Sequence, residues 1–216
     1  MAKTVTAAEM KERERAANEA GLLYIQMMEN AGRAAYAELK RRVPALRRLL
    51  IVAGKGNNGG DGFVMARVAA KEGVQVRVLL AEGEPKTADA KTNLARLGET
   101  AAEVVRDTEQ AAFGADAVVD ALYGTGFHGE LRPGGAAACA LMGRERERGA
   151  FVLALDLPSG VSADSGEVAE GAVQADATVT FDCTKPLHFA KASKPLCGAL
   201  VCADIGIGKA LGEHET

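Results

Sequence analysis

Tryptophan is absent from this 216-residue chain, and aromatic residues make up only 4% of it. A binding surface built on stacked aromatics has little to draw on. An excess of one charge is missing too. Twenty-six basic against 29 acidic side chains leave a formal net charge of -3, which offers nucleic acid no global attraction. No apolar run reaches bilayer-spanning length, and the opening MAKTVTAAEM has no apolar signal core. A cytoplasmic protein with neither membrane nor nucleic-acid partners is the expectation. The four cysteines (Cys139, Cys183, Cys197, Cys202) contain no Cys-x-x-Cys pair, and His128, His188 and His214 are scattered. Zinc ligands at recognised spacing are therefore lacking, and each cysteine reads as a buried reduced thiol. At 48% hydrophobic and 25% charged, the composition is that of a folded globular protein and excludes disorder.

What the chain has in quantity is glycine, 25 residues of it. Residues 6–41 read as helical, with Tyr24, Met28, Ala31, Ala35 and Leu39 as an apolar stripe and Arg33, Glu38 and Arg41 off it. Pro44 closes the segment. Short apolar runs then alternate with helical stretches. Strands are expected at 49–52, 74–80, 104–105, 117–122, 151–155, 177–181 and 200–203. Helices are expected at about 62–71, 85–97, 108–113 and 135–148. This alternation implies right-handed βαβ units and a mostly parallel, doubly wound sheet covered on both faces. The expected layout is one domain over 1–216, a helical extension at about 6–43 followed by an α/β core at about 49–207.

Three polar, glycine-rich loops follow strands one, four and five: residues 54–62 (GKGNNGGDG), 120–129 (DALYGTGFHG) and 156–160 (DLPSG). In the common doubly wound order strands one and four are neighbours at the topological switch point, where ligands bind beyond the carboxyl ends. The loops should converge on one pocket. Gly54-x-Gly56-x-x-Gly59 and Gly124-x-Gly126-x-x-Gly129 both match the spacing of the dinucleotide fingerprint, a weak signal alone. Gly60 stands where a phosphate-binding Walker loop needs lysine. Asp61, expected at a helix start, competes with a phosphate there. Asn57 and Asn58 suit an amide or a cation. With Asp120 and Asp156 the pocket gathers three carboxylates, which calls for a cation or raised pKa values and suits acid–base work on a nucleotide-like ligand.

The strings GKGNNGGDG, VVDALYGTG and ALDLPSGV, with residues 28–32 (MENAG), 178–181 (TVTF) and Lys185, resemble the NAD(P)H-hydrate epimerase family from about residue 6 to 207. The resemblance implies a Rossmann-like three-layer α/β/α fold. It also implies interconversion of the R and S epimers of NADHX and NADPHX, the hydrated reduced cofactors, at C6 of the nicotinamide ring. The matching substrate contacts are Asn57, Asn58, Gly59, Gly60, Asp61, Gly124, Thr125, Gly126, Phe127, His128, Gly129, Glu130 and Asp156. A potassium ion would be held by Asn58, Asp120 and Ser159. The resemblance further implies a homodimer and, for an epimerase standing alone, functional partnership with a separate NAD(P)H-hydrate dehydratase.

Inverting C6 requires its hydroxyl to leave, pushed by the enamine nitrogen and helped by an acid, and water to re-add on the other face with the same group as base. Asp156 is the expected acid–base group and Asp61 the runner-up, with a ribose-hydroxyl ligand the alternative role for Asp156. Lys185 reads equally as a phosphate contact at the pocket mouth or as a surface lysine. Lys55 reads as solvated, and His128 as a surface histidine within the substrate stretch. Two other functions stay open. A hydride-transferring dehydrogenase is disfavoured because Glu82 sits too far past strand two to bind a ribose. A non-catalytic binding module is disfavoured because Asp61, Asp120 and Asp156 are all present.

Overall fold

The computed structural model describes residues 3–213, so His214 and both extreme ends of the expected domain lie outside the described residues. The elements in chain order are α1 (Ala7–Glu19), α2 (Tyr24–Arg42), β1 (Arg48–Ala53), α3 (Asn57–Lys71), β2 (Gln75–Leu80), α4 (Ala88–Leu97) and β3 (Glu103–Val105). There follow α5 (Thr108–Ala111), β4 (Ala117–Ala121), α6 (Pro133–Glu147), β5 (Phe151–Leu155), β6 (Ala177–Phe181), β7 (Ala199–Ala203) and α7 (Ile207–Ala210). The strands form one sheet in the order β3-β2-β1-β4-β5-β6-β7, and every neighbouring pair is parallel. The chain winds outward from β1 in one direction and from β4 in the other, which leaves a crevice beyond their carboxyl ends.

The strands are near-continuous apolar runs because both faces of the sheet are covered. In β1, Leu49, Ile51 and Ala53 enter a core with α2 and α3, through Ala35, Leu39, Phe63 and Met65. Leu50 and Val52 enter the opposite core, with Ala138, Leu141 and Met142 of α6. This is the expected three-layer α/β/α arrangement.

Two local expectations change. The helical stretch at 6–41 is two helices separated at Gly21, whose φ of +101° ends the first. Within α2 the stripe is buried at Met28, Ala31, Ala35 and Leu39, but Tyr24 is exposed because it begins the helix beyond the edge of the core. More consequential, α3 starts at Asn57 and not near Gly62, so the string NNGGDG is the opening of a helix and not a loop. Its glycines allow that helix to lie against the sheet: a Cβ on Gly62 would stand 2.8 Å from Ala121 Cβ.

Candidate active site

A cavity of about 780 Å³ opens over the carboxyl edge of the sheet, a size suited to a dinucleotide-class ligand. The loops after β1, β4 and β5 converge on it as expected. Asn57, Asn58, Asp61, Gly124, Thr125, Gly126, Phe127, His128, Glu130 and Asp156 all line it. Gly59 and Gly60 are not among its lining residues. A Cβ on Gly59 would meet Gly54 O at 2.2 Å, and one on Gly60 would meet Met28 Sδ at 2.5 Å. Both are packed tightly against their neighbours, which lets α3 lie close to β1 and α2. Gly129 borders the adjoining cavity under residues 167–171.

Asp156 ends β5 with φ +65°, a conformation uncommon for a residue with a side chain and often held at functional sites. Its backbone is pinned on both sides: its N–H donates to Val179 O (2.7 Å), and His188 Nε2 donates to its carbonyl (3.0 Å). The tautomer of His188 follows from its other nitrogen, since Nδ1 accepts from the Lys185 N–H at 2.9 Å. Burial pushes the His188 pKa down, which keeps the ring neutral at physiological pH. Thr180 Oγ1 donates to Asp156 Oδ1 (2.8 Å), and the Lys185 ammonium bonds the same oxygen.

Lys185 is therefore neither on the surface nor at the pocket mouth. It is 1% exposed, and its ammonium also donates to Thr180 Oγ1 (2.9 Å). The lysine reaches inward because the short helical turn at Pro186–His188 folds its segment back under Asp156. Burial raises the Asp156 pKa, but the Lys185 charge and hydrogen bonds more than offset this and hold the carboxyl below the usual aspartate range. Asp61, near the start of α3, has no ion-pair partner among the described residues, and the lowering effect of Lys185 is the smallest of the influences on it. Burial, the Asp156 charge and Glu14 push its pKa well above the usual range. Glu14 itself, pushed up by burial and by Asp156, titrates at about 7.

Among the site residues that the sequence did not reveal are Glu14 and Met10, one turn apart on α1 and both on the cavity wall, and Lys86 and Thr87 beyond β2. Glu14 and Met10 arrive there because α1 is anchored beside β6. Thr6 and Glu9 form a capping box at its start, and Arg13 Nε bonds Asp182 Oδ2 at 2.9 Å. No spacing in the sequence links position 14 to position 61, so only the packing of α1 reveals the pair.

Below the cavity, Asp120, Ser159 and Asn58 meet around the backbone of Tyr123. Asp120 accepts from Ser159 N (2.7 Å), Ser159 Oγ (2.6 Å) and Leu122 N (3.2 Å). Ser159 Oγ accepts from Tyr123 N, while Asn58 Nδ2 donates to Tyr123 O, both at 2.9 Å. Burial raises the Asp120 pKa to about 6 against the lowering effect of those donors. The Asp120 carboxylate, the Ser159 hydroxyl and the amide oxygen of Asn58 are ligands of the kind a hard monovalent cation takes. Asp120 and Ser159 are bonded here to each other and to backbone N–H groups, and the Asn58 amide nitrogen is bonded to Tyr123 O.

At the opposite end of the cavity Lys55 and Lys86 line the rim, so Lys55 belongs to the pocket wall. Glu82, past β2, is bonded to Tyr123 Oη (2.9 Å) and to Arg132 (3.1 Å). It is committed to the protein and not offered to a ribose, as a dehydrogenase would need. The four cysteines are unpaired thiols, of which Cys139, Cys183 and Cys197 are buried and Cys202 is half-buried. Among the described residues no helix is long and apolar enough to cross a membrane.

The family model described as YjeF-related protein N-terminus matches residues 24–187. The NAD(P)H-hydrate epimerase of Pirellula staleyi is 40% identical over 205 residues, covering 90% of this chain and 88% of that protein. The bifunctional NAD(P)H-hydrate repair enzymes Nnr of Coxiella burnetii and Moorella thermoacetica are 36% and 38% identical, covering 93% and 96% of this chain. The chain spans 41% of the length of each of those two relatives. The crystal structure of yeast ynu0, YNL200c, superposes with a TM-score of 0.77 over 94% of this chain and 88% of that one. At 20% identity that likeness shows a shared fold. With its matched motifs gathered at one sheet edge, the family model matching residues 24–187 and at least 90% of its own length aligned with these relatives, the chain belongs to the family of YjeF-related protein N-termini.

Proposed function

We propose that this protein is an isomerase that interconverts the R and S epimers of NADHX and NADPHX, a repair reaction on damaged nicotinamide cofactors. The names of its relatives support the substrate class. The observation that carries the chemistry is a pair of aspartates on one cavity wall whose pKa values are pushed in opposite directions. The Lys185 charge and hydrogen bonds hold the Asp156 pKa below the usual aspartate range, whereas burial and the Asp156 charge raise that of Asp61 well above it. Two carboxyl groups whose surroundings drive their pKa values apart make an acid and a base at the same pH.

In this reading the nitrogen lone pair expels the C6 hydroxyl as Asp61 protonates it. The resulting iminium carbon is flanked by the Asp156 carboxylate, which stabilises the positive charge that develops. Water then adds to the opposite face of C6 and passes its proton to a carboxylate, Asp156 or the newly ionised Asp61. The product carries the hydroxyl inverted, with no change of redox state. The sequence reading gave both proton transfers to Asp156; the ion pair with Lys185 is what moves the acid role to Asp61. His128 and Glu130 belong to the substrate wall.

The reading includes a potassium ion on Asn58, Asp120 and Ser159, which would supply charge balance for the buried carboxylate and hold the loops after β1, β4 and β5 together. It also includes a cytoplasmic homodimer, supported by the exposed Leu23 and Tyr24 at the start of α2, and a dehydratase that consumes the S epimer. The test is to incubate the R epimer alone with the protein and follow the S epimer by chromatography. Conversion no faster than in buffer would sink the reading, and a change in cofactor redox state would replace it with a dehydrogenase.

A further inference from the structure

We infer that Lys55, Lys86 and Thr87 form a subsite for the adenosine 2′-phosphate, so that the protein favours the phosphorylated cofactor hydrate over the unphosphorylated one. This rests on the function proposed above, and its test is independent of turnover. The chemistry recognised is a phosphate monoester dianion, and three observations place it on this rim.

The first is charge. Among the described residues neither Lys55 nor Lys86 has an ion-pair partner, although the neighbouring loop carries two acids. Both acids are occupied, Glu82 by Arg132 at 3.1 Å and Glu84 by Arg106 at 2.6 Å. The two lysines are held side by side across separate loops, because Lys86 N donates to Lys55 O at 2.8 Å. The second is an unsatisfied polar atom. Thr87, which also lines the cavity, has a buried hydroxyl oxygen with no hydrogen-bond partner and does not cap α4. A hydroxyl left unpaired in this way is costly, and a rotation about its Cα–Cβ bond would turn it to a phosphate oxygen at the rim.

The third is distance. Lys86 follows β2, and Asp156 ends β5. Lys55 lies just past β1 and is bonded to Lys86, so the lysine rim spans the ends of β1 and β2. That places it two to three strand spacings, or roughly 10–14 Å, from Asp156. With the nicotinamide ring at Asp61 and Asp156, the diphosphate falls between, over β4. The adenosine ribose then reaches the end of β2, where folds of this class distinguish a ribose hydroxyl from its phosphate ester.

The test measures binding of NADP+ and NAD+ by calorimetry, since neither carries the hydrate and neither can be epimerised. Wild-type protein should bind NADP+ at least about tenfold more tightly than NAD+. In Lys55→Gln/Lys86→Gln that preference should vanish through weaker NADP+ binding, with NAD+ affinity unchanged and thermal unfolding unaltered. Thr87→Val should remove part of it. Equal wild-type affinities, or a variant that weakens both ligands alike, as lysines on the diphosphate would, overturn the assignment. A protein that shows the NADP+ preference yet leaves the R epimer unconverted keeps the subsite and loses the epimerase reading.

Discussion

The strings beginning at Gly54 and at Gly124 have the same spacing of glycines, yet two of the three in each serve opposite purposes, while Gly56 is open and lines the cavity as Gly126 does. At Gly54 a Cβ would stand 1.8 Å from Leu122 O, and at Gly59 it would stand 2.2 Å from Gly54 O. These glycines are filled space, where two strand ends and a helix meet with no room for a methyl group. At Gly126 and Gly129 a Cβ would meet nothing within 4 Å. These lie in open loop, where the main chain passes along the cavity rim. One string builds the scaffold that carries Asp61 and Asn58, and the other forms a wall. Identical spacing is thus no guide to role, because the fingerprint describes where side chains are missing and not what occupies the gap.

The comparison is broken most severely at Gly54. Gly54→Ala should lower unfolding free energy by about 3 kcal/mol or more, read by denaturant titration, since the clash is with backbone and no side chain can yield. A loss within about 0.5 kcal/mol would show that the crowding is relieved cheaply and that the two strings are alike after all.

The cargo of the first string is tested at Asp61, together with Asp156 on the loop after β5. Asp61→Asn and Asp156→Asn should each lower kcat by at least about a hundredfold, with a far smaller change in KM, after subtraction of the uncatalysed reaction. Near-wild-type turnover in either variant would reduce that aspartate to a ligand. Asp61 must be protonated to act, so kcat should fall as pH rises through its elevated pKa. The low pKa of Asp156 should keep the base ionised down to about the ordinary aspartate value near 3.8. Because the Asp156 charge raises the Asp61 pKa, the residual activity of Asp156→Asn should show its alkaline limb at lower pH than wild type. An unmoved limb would mean that the two carboxyls are not coupled.

Exchange of potassium for sodium should lower activity, and Asn58→Ala should abolish the difference between the two ions. Equal rates in both ions for wild-type protein would remove the cation from the reading. The smallest effect belongs to the second string: Gly126→Ala should change stability by no more than about 0.5 kcal/mol. At Gly129, with φ +76°, alanine should cost about 1 kcal/mol through backbone strain alone.

Much of this molecule was legible in its sequence because the relevant signals are local. Apolar runs of strand length separated by helical stretches announced the doubly wound sheet. The order of the glycine-rich segments after β1, β4 and β5 located the pocket, since in such sheets carboxyl ends face one way. What stayed hidden depended on partners far apart along the chain. Asp156 and Lys185 are separated by 29 positions, and the pairing that lowers the Asp156 pKa exists only when β5, β6 and the Pro186–His188 turn are packed together. Glu14, on a helix that the sequence presents as an extension, reaches the cavity through an anchor at Asp182. Even the boundary of α3 was decided by packing, because glycine disfavours a helix by itself and tolerates one where the sheet leaves no room for anything larger. Composition and periodicity thus determined the fold and the edge at which ligands bind. Which carboxyl holds a proton, and which lysine faces solvent, were decided by burial and by the distance between charges, quantities that come into being only when the chain has folded.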